Sequence, residues 1–308
     1  MSNYITKHTM KRIKLLLFFT FFVTSFVFSQ NELPIHSDNS TLKPLGSLFN
    51  KDLQKELELQ LNKNPKWKNL IQQNKLAVGV IDLSDQNHIE YARINGNNMM
   101  YAASLPKIAV LLAAMDALEK GELKETPEVT NDMKIMISKS NNQAATRMID
   151  RLGFDKIESV LTDEKYQLYD EDHGGGLWVG KRYASSGATN REPLKHLSHA
   201  ATVNQVCRFY YLLANGKLVS TNRSKQMLAI MEDPALHHKF VNTLDQIAPE
   251  ARLFRKSGSW RNFHSDSILV WGKDPKRRYI LVALVEDVSG EKIIRNLVKP
   301  IEKALKIN

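Results

Sequence analysis

Six consecutive apolar residues near the C-terminus, Ile280-Leu-Val-Ala-Leu-Val285, constrain the fold most. A run this short and β-branched reads as a strand covered on both faces. It lies in the last of three strand patterns, Arg252–Trp260, Ser267–Gly272 and Tyr279–Glu286. A second group lies some 170 residues earlier. Leu76–Leu83 is apolar and β-branched, and His88–Ile94 follows after the polar residues Ser-Asp-Gln-Asn. That pair predicts a hairpin. Neither group can bury a core alone, so both are expected in one sheet.

The segment between them has helical periodicity. Ala103–Lys120 is the strongest stretch, closed by Gly121. Thr130–Ile137, Asn142–Leu152 (closed by Gly153) and Asp155–Leu161 follow, the last with Asp155 and Glu158 spaced as a capping box. Thr202–Ala214 begins at a capping threonine with Gln205 three positions on. Ser224–Met231 is a further helix. Flanking helices are expected at Ser47–Asn62, with Leu53, Leu57 and Leu61 four apart, and at Glu291–Lys306. Residues 162–198 lack periodicity, and a loop this long in a compact domain is more often functional than idle. The expected class is therefore α/β of the α+β kind: an antiparallel sheet flanked by helices, with an all-α subdomain at about 103–250 inserted between its strands.

The N-terminus reads as a separate element. Lys7, Lys11, Arg12 and Lys14 precede an apolar run from Leu15 to Phe28, and Val27 and Ser29 are small enough for a cleavage site. This is the pattern of a secretory signal peptide over 1–29, too short for a comfortable membrane span. Cleavage removes four positive charges and no acids, which lowers the net charge from +10 to +6. Residues 30–46 read as a polar leader and 47–308 as one domain. The expectation is a secreted or periplasmic protein, soluble and monomeric. The single cysteine, Cys207, excludes an internal disulfide and fits a small core residue on its amphipathic helix. Basic residues are interspersed with acids and no aromatic platform accompanies them, so no nucleic-acid partner is expected.

Ser-x-x-Lys occurs three times, at Ser40–Lys43, Ser104–Lys107 and Ser289–Lys292. A serine nucleophile needs a base that takes its proton. Residues i and i+3 of a helix share a face, and the helix N-terminus stabilises developing negative charge. Only Ser104 meets these conditions. Pro106 is tolerated in a first turn, and Ile108-Ala-Val-Leu-Leu-Ala-Ala would bury the helix and depress the Lys107 pKa. Ser140-Asn-Asn142 lies 36 residues downstream, and Lys256-Ser-Gly258 lies on a predicted strand, where the glycine allows close backbone approach.

The three motifs, in that order, resemble those of the active-site serine hydrolases of the class A β-lactamase and penicillin-binding-protein superfamily. Met136-Ile-Ser-Lys-Ser-Asn-Asn-Gln-Ala-Ala-Thr looks like that family's second-motif helix junction, and the last three strands look like its own. The resemblance covers about residues 47–306. It implies that Ser104 is the acylated nucleophile and Lys107 its base. Ser140 would relay a proton to the leaving nitrogen, and Asn142 would bond the substrate amide. Lys256 would attract a substrate carboxylate beside Ser257 and Gly258, and the N–H groups of Ser104 and Ser259 would form the oxyanion hole. No cofactor or metal is implied; the substrate is a small molecule, a β-lactam or an acyl-peptide.

Two departures stand against the family pattern. The spacing from Ser104 to Ser140 is short, which implies a reduced helical subdomain. The family's deacylating glutamate is followed by Pro and then a Leu-Asn; here Glu192-Pro-Leu-Lys195 lacks the asparagine. The expected activity is lactam hydrolysis, with a D-Ala-D-Ala peptidase or esterase, and a penicillin-binding module without turnover, as the alternatives. Gly175-Gly-Leu-Trp-Val-Gly-Lys-Arg182 approaches a phosphate-binding loop but lacks its Ser/Thr. His196/His199 and His237/His238 lack the remaining ligands of a metal site.

Overall fold

The computed structural model describes residues 42–307 together with Pro34. The apolar run and cleavage site of the N-terminus lie outside the described residues. Ten α-helices are present among the described residues. The strand groups do combine. β1 (Leu76–Asp82) pairs with β2 (Glu90–Ile94) as the expected hairpin and, on its other edge, with β10 (Arg278–Glu286). β9 (Phe263–Trp271) and β8 (Arg252–Trp260) complete a five-stranded antiparallel sheet in the order β2-β1-β10-β9-β8.

Alternation along β10 explains its apolar run. Tyr279, Leu281, Ala283 and Val285 join one buried cluster with α1 (Lys51–Asn62), α2 (Pro65–Gln72), α9 (Phe240–Ile247) and α10 (Gly290–Ala304). Ile280, Val282 and Leu284 are equally buried on the opposite face, where α7 (Val203–Ala214) packs. Each large side chain buried this way contributes about 1.5–3 kcal/mol. Gly79 in β1 permits the close approach of α7: a Cβ there would stand 2.7 Å from Cys207 Sγ. Cys207 is free and buried, and burial raises its thiol pKa, as suits a core residue.

Between β2 and β8 lie β3 (Met100–Tyr101), α3 (Lys107–Glu119), α4 (Pro127–Ser138), α5 (Asn142–Leu152) and α6 (Phe154–Thr162). They are followed by the short strands β4 (Tyr169–Asp170), β5 (Gly175–Gly176), β6 (Trp178–Val179) and β7 (His199–Ala201), then α7 and α8 (Thr221–Met231). The aperiodic stretch 162–198 therefore carries β4, β5 and β6, which pair in small ladders, β4 with β5 and β6 with β7 just beyond it, too short for a period to show. The Gly175–Arg182 run lies among these strands and supplies no helix N-terminus for a phosphate.

Several boundaries differ from the periodicity. α1 starts at Lys51, not Ser47, because the Asn50 side chain caps it by accepting from the Asp52 and Leu53 N–H groups. Residues Leu45–Leu48 form a separate 3₁₀ turn. α2 and α9 lie outside the stretches that the periodicity predicts; the Asn64 cap and Pro65 at the first turn are the local signals for α2. The capping box at Asp155 does not form, because Gly153, at φ 77°, is the N-cap and leaves Asp155 inside the first turn. Thr202, by contrast, caps α7 through the Gln205 N–H, as its spacing implies.

Candidate active site

Ser104 precedes the helix rather than standing in it. Ala103 takes a left-handed backbone, φ 51°, which regular helix excludes, so α3 begins only at Lys107. The strained residue is held from both sides. The Ala102 N–H donates to His199 O at 2.9 Å, Ser265 Oγ donates to Ala102 O at 2.7 Å, and Tyr183 OH donates to Ala103 O at 3.3 Å. Strain of this kind persists only where the surroundings over-determine it. A tight turn still keeps the motif together, because the Lys107 N–H donates to Ser104 O at 3.3 Å. Ser104 N–H and Ser104 Oγ have no hydrogen-bond partner among the described residues. The Ser104 hydroxyl and the Lys107 ammonium are thus not hydrogen-bonded to each other.

Lys107 is fully buried, and its ammonium meets no carboxylate among the described residues. Nζ donates to Ser140 O at 2.7 Å and Asn142 Oδ1 at 2.7 Å, lies 3.4 Å from Ser140 Oγ, and stands 4.4 Å from the centre of the Tyr183 ring. Burial lowers its pKa to about 7. Ser140 occupies the short link between α4 and α5 with φ 53°, which turns both its carbonyl and its hydroxyl toward the lysine. Asn141 fixes that link by capping α5 through the Ala144 N–H.

From the other side, Lys256 Nζ donates to Ser140 Oγ at 2.9 Å. Lys256 is also buried, and burial, then the nearby Lys107 charge, push its pKa well down. Two lysines therefore flank one serine hydroxyl. An anion entering beside Lys256 would offset that repulsion. Gly258 also serves a contact within the protein. A Cβ there would meet Ala102 O at 2.4 Å and Ser104 N at 2.5 Å, so the glycine admits the Ser104 turn against β8.

Behind β8 stand residues outside the three motifs. Lys239, fully buried at a left-handed φ of 55°, donates to Gly258 O at 2.6 Å, Ser259 Oγ at 2.8 Å and Ser265 O at 3.0 Å. His238 Nε2 lies 3.2 Å from Ser257 Oγ. Arg255 and Asp266, both buried, form a two-pronged ion pair at 2.7 and 2.9 Å across β8 and β9. Arg255 also donates to the carbonyls of Leu236 and His238, and the Phe240 N–H donates to Asp266. The motif strand is thereby fastened to the loop before α9.

Glu192 is buried, and its carboxylate is engaged within its own loop. It accepts from Tyr169 OH at 3.0 Å and from the N–H groups of Leu194, Lys195 and Leu197 at 2.8 Å. No hydrogen bond joins it to Ser104 or Lys107 among the described residues. Lys195 donates to Met99 O at 2.7 Å. His199 Nε2 lies 3.0 Å from Lys181 O, and burial lowers the ring's pKa to about 4.

An antiparallel sheet flanked by helices, with Ser104, Lys107, Ser140 and Lys256 drawn to its β8 edge, defines a β-lactamase-like serine hydrolase. The sequence model of the beta-lactamase enzyme family matches residues 64–135 and 126–305, and the chain belongs to that family. Solved structures share its fold. A beta-lactamase from Sphaerobacter thermophilus superimposes with a TM-score of 0.61 at 16% identity, over 81% of this chain and 95% of that one. A representative class A beta-lactamase from Bacteroides cellulosilyticus gives 0.61 at 18%, over 84% and 100%. The protein PBP-A gives 0.61 at 18%, over 86% and 99%. No protein of curated function matches the sequence.

Proposed function

We propose that this protein is an exported enzyme that forms an acyl-enzyme at Ser104 with β-lactams or acyl-peptides, and releases the lactam-derived acyl group slowly. The observation that carries the reading is the pairing of a prepared lysine with an occupied glutamate. Lys107, with a pKa of about 7, is partly neutral at neutral pH and stands one turn from an unbonded serine hydroxyl. It takes the Ser104 proton as the hydroxyl attacks the substrate carbonyl. Ser140 passes a proton to the leaving nitrogen, and the free Ser104 N–H is the donor available to the oxyanion. Lys256 receives the substrate carboxylate, and the Asn142 amide bonds the substrate on the acyl side. For the step after acylation Glu192 is less available, because its oxygens accept from Tyr169 and from its own loop. A PBP-A variant has been captured as an acyl-enzyme with penicillin G, the same kind of species proposed at Ser104.

A second reading, efficient lactam hydrolysis, draws on Lys107 as well, since a neutral amine near Ser104 can activate water. Glu192→Gln separates the two uses of that loop. With Glu192 as a loop anchor, the variant deacylates at the parent rate while losing roughly 1–3 kcal/mol of stability through poorly satisfied loop N–H groups. A long-lived acyl-enzyme appearing only in Glu192→Gln would instead make Glu192 the deacylating base.

A further inference from the structure

A cleft of about 710 Å³ opens beside the Ser104 turn. It joins the site through two residues. Asn142 lines it while accepting from Lys107, and Tyr183 lines it while covering the Lys107 ammonium and bonding Ala103 O. Its walls are aromatic. Tyr101 packs edge-on against Phe263 at 5.5 Å, and Trp260, one residue past Ser259, is 55% exposed, whereas Trp67 and Trp178 are buried. Its charge has one sign. Lys181, Arg182 and Arg191 line it, and no acid does among the described residues. Arg182 is paired with Asp150. Lys181 and Arg191 reach only the backbone carbonyls of Ser185 and His196, with no carboxylate within 4.0 Å among the described residues.

Aromatic side chains gathered in a cleft mark a binding site, and cations without counter-ions favour an anion there. We propose that this cleft receives the acyl-side substituent of the substrate and selects one that is flat and negatively charged. The inference rests on the acyl-transfer reading of Ser104. It places the discriminating charge on the acyl side of the scissile bond, apart from the carboxylate assigned to Lys256.

Three penicillins that differ only at the α-carbon of the phenylacetyl group provide the test. Benzylpenicillin carries hydrogen there, α-aminobenzylpenicillin an ammonium and α-carboxybenzylpenicillin a carboxylate. Intact-mass kinetics on the mature protein give the acylation rate constant for each. The carboxylate compound is expected to react fastest and the ammonium compound slowest, with a ratio of roughly tenfold or more. In the Lys181→Gln, Arg191→Gln double variant that ratio is expected to fall toward unity. Equal rates in the parent protein, or an unchanged ratio in the double variant, would overturn the proposal. Calorimetric titration of the Ser104→Ala protein reads the same order without acylation. If no penicillin acylates the parent but the binding order holds, the acyl-transfer reading fails and the cleft assignment stands. Acylation by all three at one rate overturns the cleft assignment and leaves the acyl-transfer reading standing.

Discussion

Lys107→Ala is expected to slow acylation of Ser104 by about 10²–10⁴-fold, the usual worth of a positioned base. The expectation rests on contacts that hold the ammonium without a counter-charge. Three oxygens and an aromatic ring surround it, and no carboxylate among the described residues offsets its burial. The reactive form is the neutral amine, and its folded pKa is lowered to about 7. Acylation should therefore fall as pH drops below that value and level off above it. Lys107→Arg, which stays protonated throughout, should be as slow as the alanine variant. A rate in Lys107→Ala within a few-fold of the parent, or a flat profile across neutral pH, would remove Lys107 from the base's role.

Asp266→Ala should destabilise the protein by about 3–5 kcal/mol, because it leaves the Arg255 guanidinium buried and unpaired. Both partners are buried, and the pair is bidentate. The arginine alone also bonds two carbonyls of the loop before α9, so that loop and β8 should loosen together. Arg255 immediately precedes Lys256, and a shift of β8 would carry Lys256 away from Ser140. Acylation should then slow even at temperatures where the variant remains folded. Replacing both partners, as in Arg255→Met with Asp266→Leu, should recover most of the stability, since apolar groups can replace a buried pair. A loss below about 1 kcal/mol in Asp266→Ala would show that water relieves the arginine. Chemical denaturation of the three proteins decides it.

Much of the fold is legible in the sequence because apolar period and burial coincide. The both-faces-buried β10, the β1–β2 hairpin and the Thr202 cap each arise from a few adjacent residues. The inserted helices are legible for the same reason, although α3 starts late. Its onset is set by the left-handed Ala103, which long-range bonds from His199, Ser265 and Tyr183 hold in place and no local pattern encodes. The motif residues are visible as a sequence order, and the structure gathers Lys107, Ser140, Asn142 and Lys256 into contact. The layer behind them is not visible. Lys239 reaches Gly258 and Ser259 over 19 and 20 positions, and His238 reaches Ser257 over 19. The cleft aromatics come from β3, the stretch after β6 and the adjoining ends of β8 and β9, segments that only the tertiary fold brings together.

Glu192 marks the limit of motif transfer. Its Glu-Pro-Leu sequence resembles that of a loop base, but three N–H groups of its own turn take the carboxylate. Incubating the mature protein with benzylpenicillin, while following intact mass and lactam loss together, tests the whole assignment most directly. The expected result is one persistent adduct per chain, lactam loss that stops near one equivalent, and neither in Ser104→Ala. An adduct that still forms in Ser104→Ala would contradict the assignment of the nucleophile. Many turnovers per chain in the parent protein would contradict slow release.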